Sequence, residues 1–261
     1  MLLRLPLHRD DGPPVEIPLD PAVLDDLIAA EARPAPDGRP WLAVNMVASA
    51  DGATQVGGVS GPLGSDADMA VFVALRAACD IILAGSATVT AERYRPPMGN
   101  EARRTRRTAR GQTPLPRIAV VSNRGDVDLS LPMFADARPD NRPIVLVADG
   151  VDTSRRALLD DVAEVLVVGD ERVDVGRAMR SLRDTTGAGM VLAEGGATLN
   201  GLLLDADLVD EWCLTVAPMA VGGDAVRAAH SPGRGSPHPM SLVRAFAADD
   251  ELMLRYVRER D

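Results

Sequence analysis

The sequence predicts an α/β fold: a mainly parallel central sheet covered by helices on both faces, with antiparallel strands at the C-terminal end. Three observations predict it. Apolar runs of four to seven residues alternate with amphipathic segments from Trp41 onward, a βαβα rhythm. Most of these runs are apolar on both faces, as strands lying between two helical layers must be. The last run, residues 251–258, instead alternates apolar and polar side chains like an antiparallel edge strand.

The elements follow in order. Residues 1–38 are rich in proline and acids, with one amphipathic helix from Pro21 to about Ala32, and read as an extension packed on the surface of a main domain at 39–261. Residues 41–47 form the first buried strand, with Asn45 its single polar residue. Asp51-Gly52 marks a turn, followed by a glycine-rich loop from Gly57 to Gly64. Ser65 caps a helix running to Ala78. Strands follow at 80–84, 117–121, 143–147, 164–168 and 190–193, and helices at 153–161 and 175–185. Beyond them, 209–216 and 240–246 read as strands around a long loop rich in glycine and proline. The run 103–110 carries five arginines and almost no apolar residue, and reads as a solvated loop.

Composition narrows the function. The chain has 261 residues and is 46% hydrophobic, with a formal net charge of −10. That balance argues against general nucleic-acid binding, which rests on basic patches. All 28 basic residues are arginine, so lysine Schiff-base and P-loop lysine chemistry are excluded. Three histidines and two cysteines, without H-x-E or C-x-x-C, exclude a zinc deaminase, and no metal site is expected. No apolar run reaches the roughly 18 residues of a membrane span, and residues 1–7 are too short and too broken by Arg4 and Pro6 for a signal peptide, so the expectation is a cytoplasmic protein.

The chemistry concentrates where strands end. Met190-Val191-Leu192-Ala193-Glu194-Gly195-Gly196-Ala197-Thr198-Leu199 reads as strand, glycine turn and helix start, a backbone that suits a phosphate. Gly85-Ser86-Ala87-Thr88 repeats that construction after the strand at 80–84, and two such turns suit an extended ligand with a diphosphate. Ser122, Asn123 and Arg124 leave a third strand end together, where Arg124 suits a phosphate monoester such as a ribose 2′-phosphate. At each place an ordinary turn is the competing reading.

Several motifs together resemble the reductase domain of the bacterial riboflavin-biosynthesis deaminase-reductase, and the stand-alone pyrimidine reductase-like proteins of that superfamily. They are Asn45 with Ser49-x-Asp51-Gly52, Leu75-Arg76, Gly85-Ser86-Ala87-Thr88-Val89, Glu194-Gly195-Gly196-x-Thr198-Leu199, and Asp210-Glu211 running to Ala217-Pro218. The resemblance implies a dihydrofolate-reductase-like three-layer sandwich, NADPH as cofactor, a small-molecule substrate and a homodimer. On it and on the strand-end readings above, Val47, Gly85, Thr88, Glu92, Ser122, Arg124, Gly195, Gly196, Ala197, Thr198 and Leu199 are expected at the cofactor. Asn45, Ser49, Ser60, Ser65 and Arg76 are expected at the substrate, with Asp51 and Glu194 as the candidate carboxylic acids for hydride-transfer chemistry. Asn45 stands where those riboflavin reductases commonly carry lysine. The expected reaction is reduction of a 5-amino-6-ribosylamino-uracil phosphate or similar pyrimidine. The alternatives are a reductase of another heterocycle, such as a dihydrofolate-like pterin, and a non-catalytic NADP-binding protein.

Overall fold

The computed structural model describes residues 1–8, 10–232 and 235–260. Its strands are β1 (Leu2–Arg4), β2 (Val15–Ile17), β3 (Trp41–Ser49), β4 (Ile81–Gly85), β5 (Arg117–Val121), β6 (Ile144–Val147), β7 (Glu164–Val167), β8 (Met190–Ala193), β9 (Glu211–Ala217), β10 (Met240–Ala248) and β11 (Glu251–Arg258). The helices are α1 (Pro21–Ala29), α2 (Asp66–Ala78), α3 (Ser86–Ala91), α4 (Glu101–Ala109), α5 (Pro132–Ala135), α6 (Thr153–Val162), α7 (Val175–Thr186) and α8 (Ala197–Asp205). One 11-stranded sheet runs in the order β2-β1-β10-β11-β9-β3-β8-β4-β5-β6-β7. From β9 to β7 every pairing is parallel, and from β9 through β11, β10 and β1 to β2 every pairing is antiparallel.

The continuous apolar runs have a simple cause. Along β3, Trp41 and Ala43 enter one core, shared with α1, α2 and α6, while Leu42 and Val44 enter the other, shared with α7 and α8. Successive side chains of a strand point to opposite faces, so both must be apolar when both are covered. The expected three-layer α/β architecture, mostly parallel with antiparallel strands, is the one the chain adopts.

Three local expectations are corrected. Residues 103–110 fall largely within α4, not a solvated loop: Asn100 caps it by accepting from the Arg103 N–H at 2.9 Å. The helix has no apolar face and is docked by charge. The Arg103 guanidinium donates to both oxygens of the buried Asp25 carboxylate at 2.7 and 2.9 Å, and Arg106 adds a third bond at 3.0 Å. Arg107 is fully buried and closes the C-terminus of α2 by donating to the carbonyls of Ala77 and Cys79.

The segment expected as a surface extension enters the fold. β1 pairs with β10, and Leu2, Leu24 and Ile28 are core residues. Past α1, Glu31 and Arg33 enter a buried ion network. Arg33 Nε and Arg255 Nη2 donate to Glu211 Oε2 at 2.8 and 2.9 Å, while Glu31 pairs with Arg33, Arg244 and Arg255. Burial works to raise the Glu211 carboxyl, but Arg33 and Arg255 overcome it and bring it down to about 2. Finally, β11 is not an edge strand, since it lies between β10 and β9. Its alternation arises because one face is covered, with Met253 in the core, while Leu252 on the other face is exposed.

Candidate active site

Strand order brings the two glycine turns together. β4 and β8 are parallel neighbours, so the turns leaving them lie side by side: the Gly85 N–H donates to the Gly195 carbonyl at 2.8 Å. Packing is so close that a Cβ on Gly196 would sit 2.9 Å from Thr88 Oγ1. Neither α3 nor α8 has a side chain capping its first turn. Their N–H groups are therefore left for a ligand, with the helix dipole of α8 favouring an anion.

These turns form the middle of a cleft of about 810 Å³ that crosses the carboxyl ends of β3, β8, β4 and β5. At the β5 end stand Ser122 and Asn123, joined by Arg172 and Val173 from the loop after β7. Asn123 Oδ1 accepts from the Val173 N–H at 2.9 Å and ties the two loops. At the β3 end stand Asn45 and Val47, faced by Asp68, Met69 and Phe72 of α2, with Glu194 and Tyr94.

Glu194 is the organised carboxylate of this end. Its side chain is 4% exposed and accepts from Arg76 Nε and Nη2, both at 2.6 Å, and from the Tyr94 hydroxyl at 2.6 Å. The Arg76 guanidinium lies 4.4 Å from the centre of the Phe72 ring and 5.4 Å from that of Tyr94, so aromatic faces restrict it as well. Burial and the negative charge of Glu194 push the Tyr94 phenol well above the usual tyrosine range, so it remains a proton donor in the hydrogen bond. Nearby, the Ser60 N–H and hydroxyl donate to Glu92 Oε1 at 2.8 and 2.9 Å. Behind this wall lies a hollow of about 500 Å³ lined by Arg76, Arg93, Arg95, Arg103 and Arg107, sharing Ser60, Phe72, Glu92 and Tyr94 with the cleft.

Of the residues expected from sequence, Asn45, Val47, Ser60, Gly85, Thr88, Glu92, Ser122, Glu194, Gly196, Ala197, Thr198 and Leu199 line the cleft. Gly195 supports the turn through its carbonyl, and Arg76 reaches the site through Glu194. Four expected residues lie elsewhere. Asp51 is exposed and accepts from the N–H groups of Val221 and Gly222 and from the Ser49 hydroxyl, latching the loop that follows β9. The bonds from Ser49, Gly222 and Val221 lower its carboxyl to about 2, which leaves it no proton to give near neutrality. Ser49 is committed to that latch. Ser65 caps α2 and donates to Glu251 Oε2 at 2.5 Å. Arg124 is exposed and does not line the cleft, whereas Arg172 does.

Sequence reasoning missed Tyr94, Asp68 and Arg172. Tyr94 is one of two tyrosines and stands three residues past the end of α3, with no local pattern to mark it. Asp68 was absorbed into the acidic first turn of a helix, and Arg172 lies between the strand at 164–168 and the helix at 175–185, where no pattern marks it.

Residues 40–253 match the family model of the RibD C-terminal domain. The chain is 31% identical over 188 residues, 71% of its length and 83% of the relative's, to the 2,5-diamino-6-ribosylamino-4(3H)-pyrimidinone 5′-phosphate reductase of Archaeoglobus fulgidus. It is 28% identical over 223 residues to the protein of the same name in Methanothermobacter thermautotrophicus, covering 84% of this chain and 98% of that one. Among solved structures, a pyrimidine reductase-like protein from Corynebacterium diphtheriae superposes with a TM-score of 0.80 at 22% identity, over 91% of this chain and 99% of that chain. The shared fold follows from the superposition, and the match along most of the sequence places this chain in the RibD C-terminal domain family.

Proposed function

We propose that the chain reduces a ribosylaminopyrimidine 5′-phosphate in riboflavin synthesis and takes NADPH as its hydride donor. The observation that carries this reading is one cleft divided by strand order into three chemically different parts. Arg172 and Ser122 stand at one end, two uncapped helix starts in the middle, and the Arg76–Glu194–Tyr94 group beside an arginine-lined hollow at the other. The residues fit an extended dinucleotide. Thr88 and residues 196–199 would hold the diphosphate, Ser122 and Arg172 the adenosine end with its 2′-phosphate, and Val47 the nicotinamide side. When bound, the dihydronicotinamide would supply the hydride to the open-chain imine carbon of the ribosylamino group, and the imine nitrogen would take the balancing proton.

The chain's own residues then position the acceptor. Glu194, fixed by three charge-assisted or phenolic hydrogen bonds, offers a carboxylate edge of defined direction to substrate N–H and O–H groups. Arg93 and Arg95, which make no ion pair among the described residues, would take the substrate phosphate with Ser60. Asp51 has no part in this chemistry, because its carboxylate serves the loop latch.

A homodimer in the cytoplasm belongs to the same reading. Leu3, Ala247 and Leu252 lie in register on three neighbouring strands and present an apolar row that a second copy would cover. No helix among the described residues is long and apolar enough to cross a membrane.

The test is NADPH oxidation by the purified protein with the diaminopyrimidinone ribosyl phosphate as acceptor, with NADH as control and sedimentation for the dimer. Turnover that favours NADPH is expected. Saturable NADPH binding with no acceptor turned over would instead make this a nucleotide-binding protein.

A further inference from the structure

We propose that Asp68 selects the pyrimidine ring, favouring a 2-amino-4-oxo ring over its 2,4-dioxo (uracil) counterpart through the carboxylate it presents to the cleft. This rests on the reductase reading above and specifies its substrate.

An acid in the first turn of a helix ordinarily faces water and complements the dipole. Asp66 does so in α2, being exposed. Asp68 is turned instead toward the cleft, where it shares a wall with Val47, Met69 and Phe72. One oxygen is fixed: Asp68 Oδ1 accepts from the Thr215 hydroxyl at 2.6 Å, and Thr215 is the β9 residue in register with Val47 of β3. Asp68 therefore stands beside the strand residue assigned to the nicotinamide side. The other oxygen is open. Among the described residues no N–H or guanidinium reaches Oδ2, and a Cβ on Gly64 would come within 2.5 Å of it, so glycine at 64 keeps that oxygen accessible. Burial pushes the Asp68 carboxyl up, with Thr215 acting in the opposite direction, as expected of an acid that lacks a countercharge. Glu251 on β11 is a titratable neighbour, raised by burial and by the charge of Asp68 while its bond from Ser65 acts in the opposite direction.

Such a group asks for a ligand with adjacent N–H donors. A 2-amino-4-oxopyrimidine presents a ring N–H beside an exocyclic NH₂, two parallel donors that match a carboxylate edge. Bound by the same edge, a 2,4-dioxo ring keeps that N–H but puts the 2-carbonyl oxygen where the amino group stood, and that oxygen would face the carboxylate. Losing one such charged hydrogen bond is worth about 10- to 100-fold in selectivity.

The experiment compares kcat/KM for the diaminopyrimidinone and the aminouracil ribosyl phosphates in the native protein and in Asp68→Asn. Asparagine keeps the size and the acceptor for Thr215 but replaces one oxygen with a donor. The native protein is expected to favour the diamino form by about 10- to 100-fold. Asp68→Asn should lose that preference chiefly through KM for the diamino form, with NADPH affinity unchanged as proof of folding. Equal use of both substrates by the native protein, or an equal loss on both in the variant, would overturn the assignment. Calorimetric binding of both compounds, and of a dihydropterin that carries the same 2-amino-4-oxo edge without the sugar phosphate, separates the two readings. A binding preference that follows residue 68 without any turnover would sustain Asp68 and overturn the reductase reading. Absence of binding by all three would overturn Asp68 even where NADPH still binds.

Discussion

Replacing Tyr94 with phenylalanine removes one oxygen and tests whether the phenol holds Glu194 in place. The ring fills the same volume, so no cavity opens. What is lost is one of three donors to a carboxylate whose side chain is 4% exposed. A hydrogen bond to a charged group contributes about 1.5–3 kcal/mol, and Arg76 remains as the main partner, so about 2 kcal/mol is expected. For a chain of this size, each kcal/mol moves the midpoint by about 2–4 °C, giving a fall of about 4–8 °C in a thermal melt. Activity should fall further than stability suggests. Without the phenol, Glu194 Oε2 keeps only the Arg76 Nη2 bond and the carboxylate can tilt on the Arg76 fork, and misplacement of a positioning group lowers kcat by about 10-fold or more. Affinity for NADPH should not change, since the turns at Gly85 and Gly196 make no contact with the phenol oxygen. Unchanged melting and unchanged kcat would refute the reasoning, because the hydrogen bond would then hold nothing. A parallel loss of NADPH affinity would also refute it, showing that Tyr94 supports the whole cleft rather than one carboxylate.

Two further outcomes follow from residues already placed. Arg172→Gln should weaken NADPH binding by about 10-fold or more, the worth of a charge-assisted contact, and leave NADH unchanged; equal weakening of both would remove Arg172 from the 2′-phosphate. Glu211 is ordinarily near 4.5 and is held at about 2 in the fold, a depressed value, so its stabilisation is complete above about 4.5 and disappears as pH falls toward 2. At 1.36 kcal/mol per pH unit the full loss is about 3 kcal/mol, visible as a steep decline in urea stability below pH 4.5 that Glu211→Gln should flatten; an equally steep decline in the variant would show that other carboxylates carry it.

The parallel half of the fold was legible because burial on both faces writes itself into sequence as unbroken apolar runs, as at residues 41–44 and 81–84. The same logic failed for α4. Its docking energy comes from Arg103 and Arg106 on Asp25, a residue 78 positions before Arg103, and an ion pair across the fold leaves no periodicity. Asn100 followed by Glu101 was the local signal of a helix start, and the arginine run obscured it. For β11, alternation reported that one face is uncovered, which says nothing about position within the sheet. The N-terminal strands are three residues each and too short for any pattern to show. In the cleft, glycine turns were readable because backbone geometry is local. Asp68 and Tyr94 were not, since their meaning depends on Thr215 and Glu194, which other elements bring to them.

Three carboxylates illustrate what separates a structural acid from one that awaits a ligand. Sequence placed Asp51 and Glu194 on equal terms, each just beyond a buried strand. A carboxylate offers about four acceptor positions, and the donors already facing it decide what remains. Asp51 takes the Ser49 hydroxyl and two backbone N–H groups from residues 221 and 222, so its capacity is spent on holding a loop. Glu194 takes three bonds from Arg76 and Tyr94, all from side chains in the cleft wall, which fixes its direction and leaves a narrow face for substrate. Asp68 takes one, from Thr215, and borders the same cleft. Half-buried acceptors left open are costly unless something satisfies them. The acid with the most unused capacity is therefore the one whose partner must come from the bound molecule, and it is Asp68, the carboxylate that sequence patterning left in the first turn of a helix.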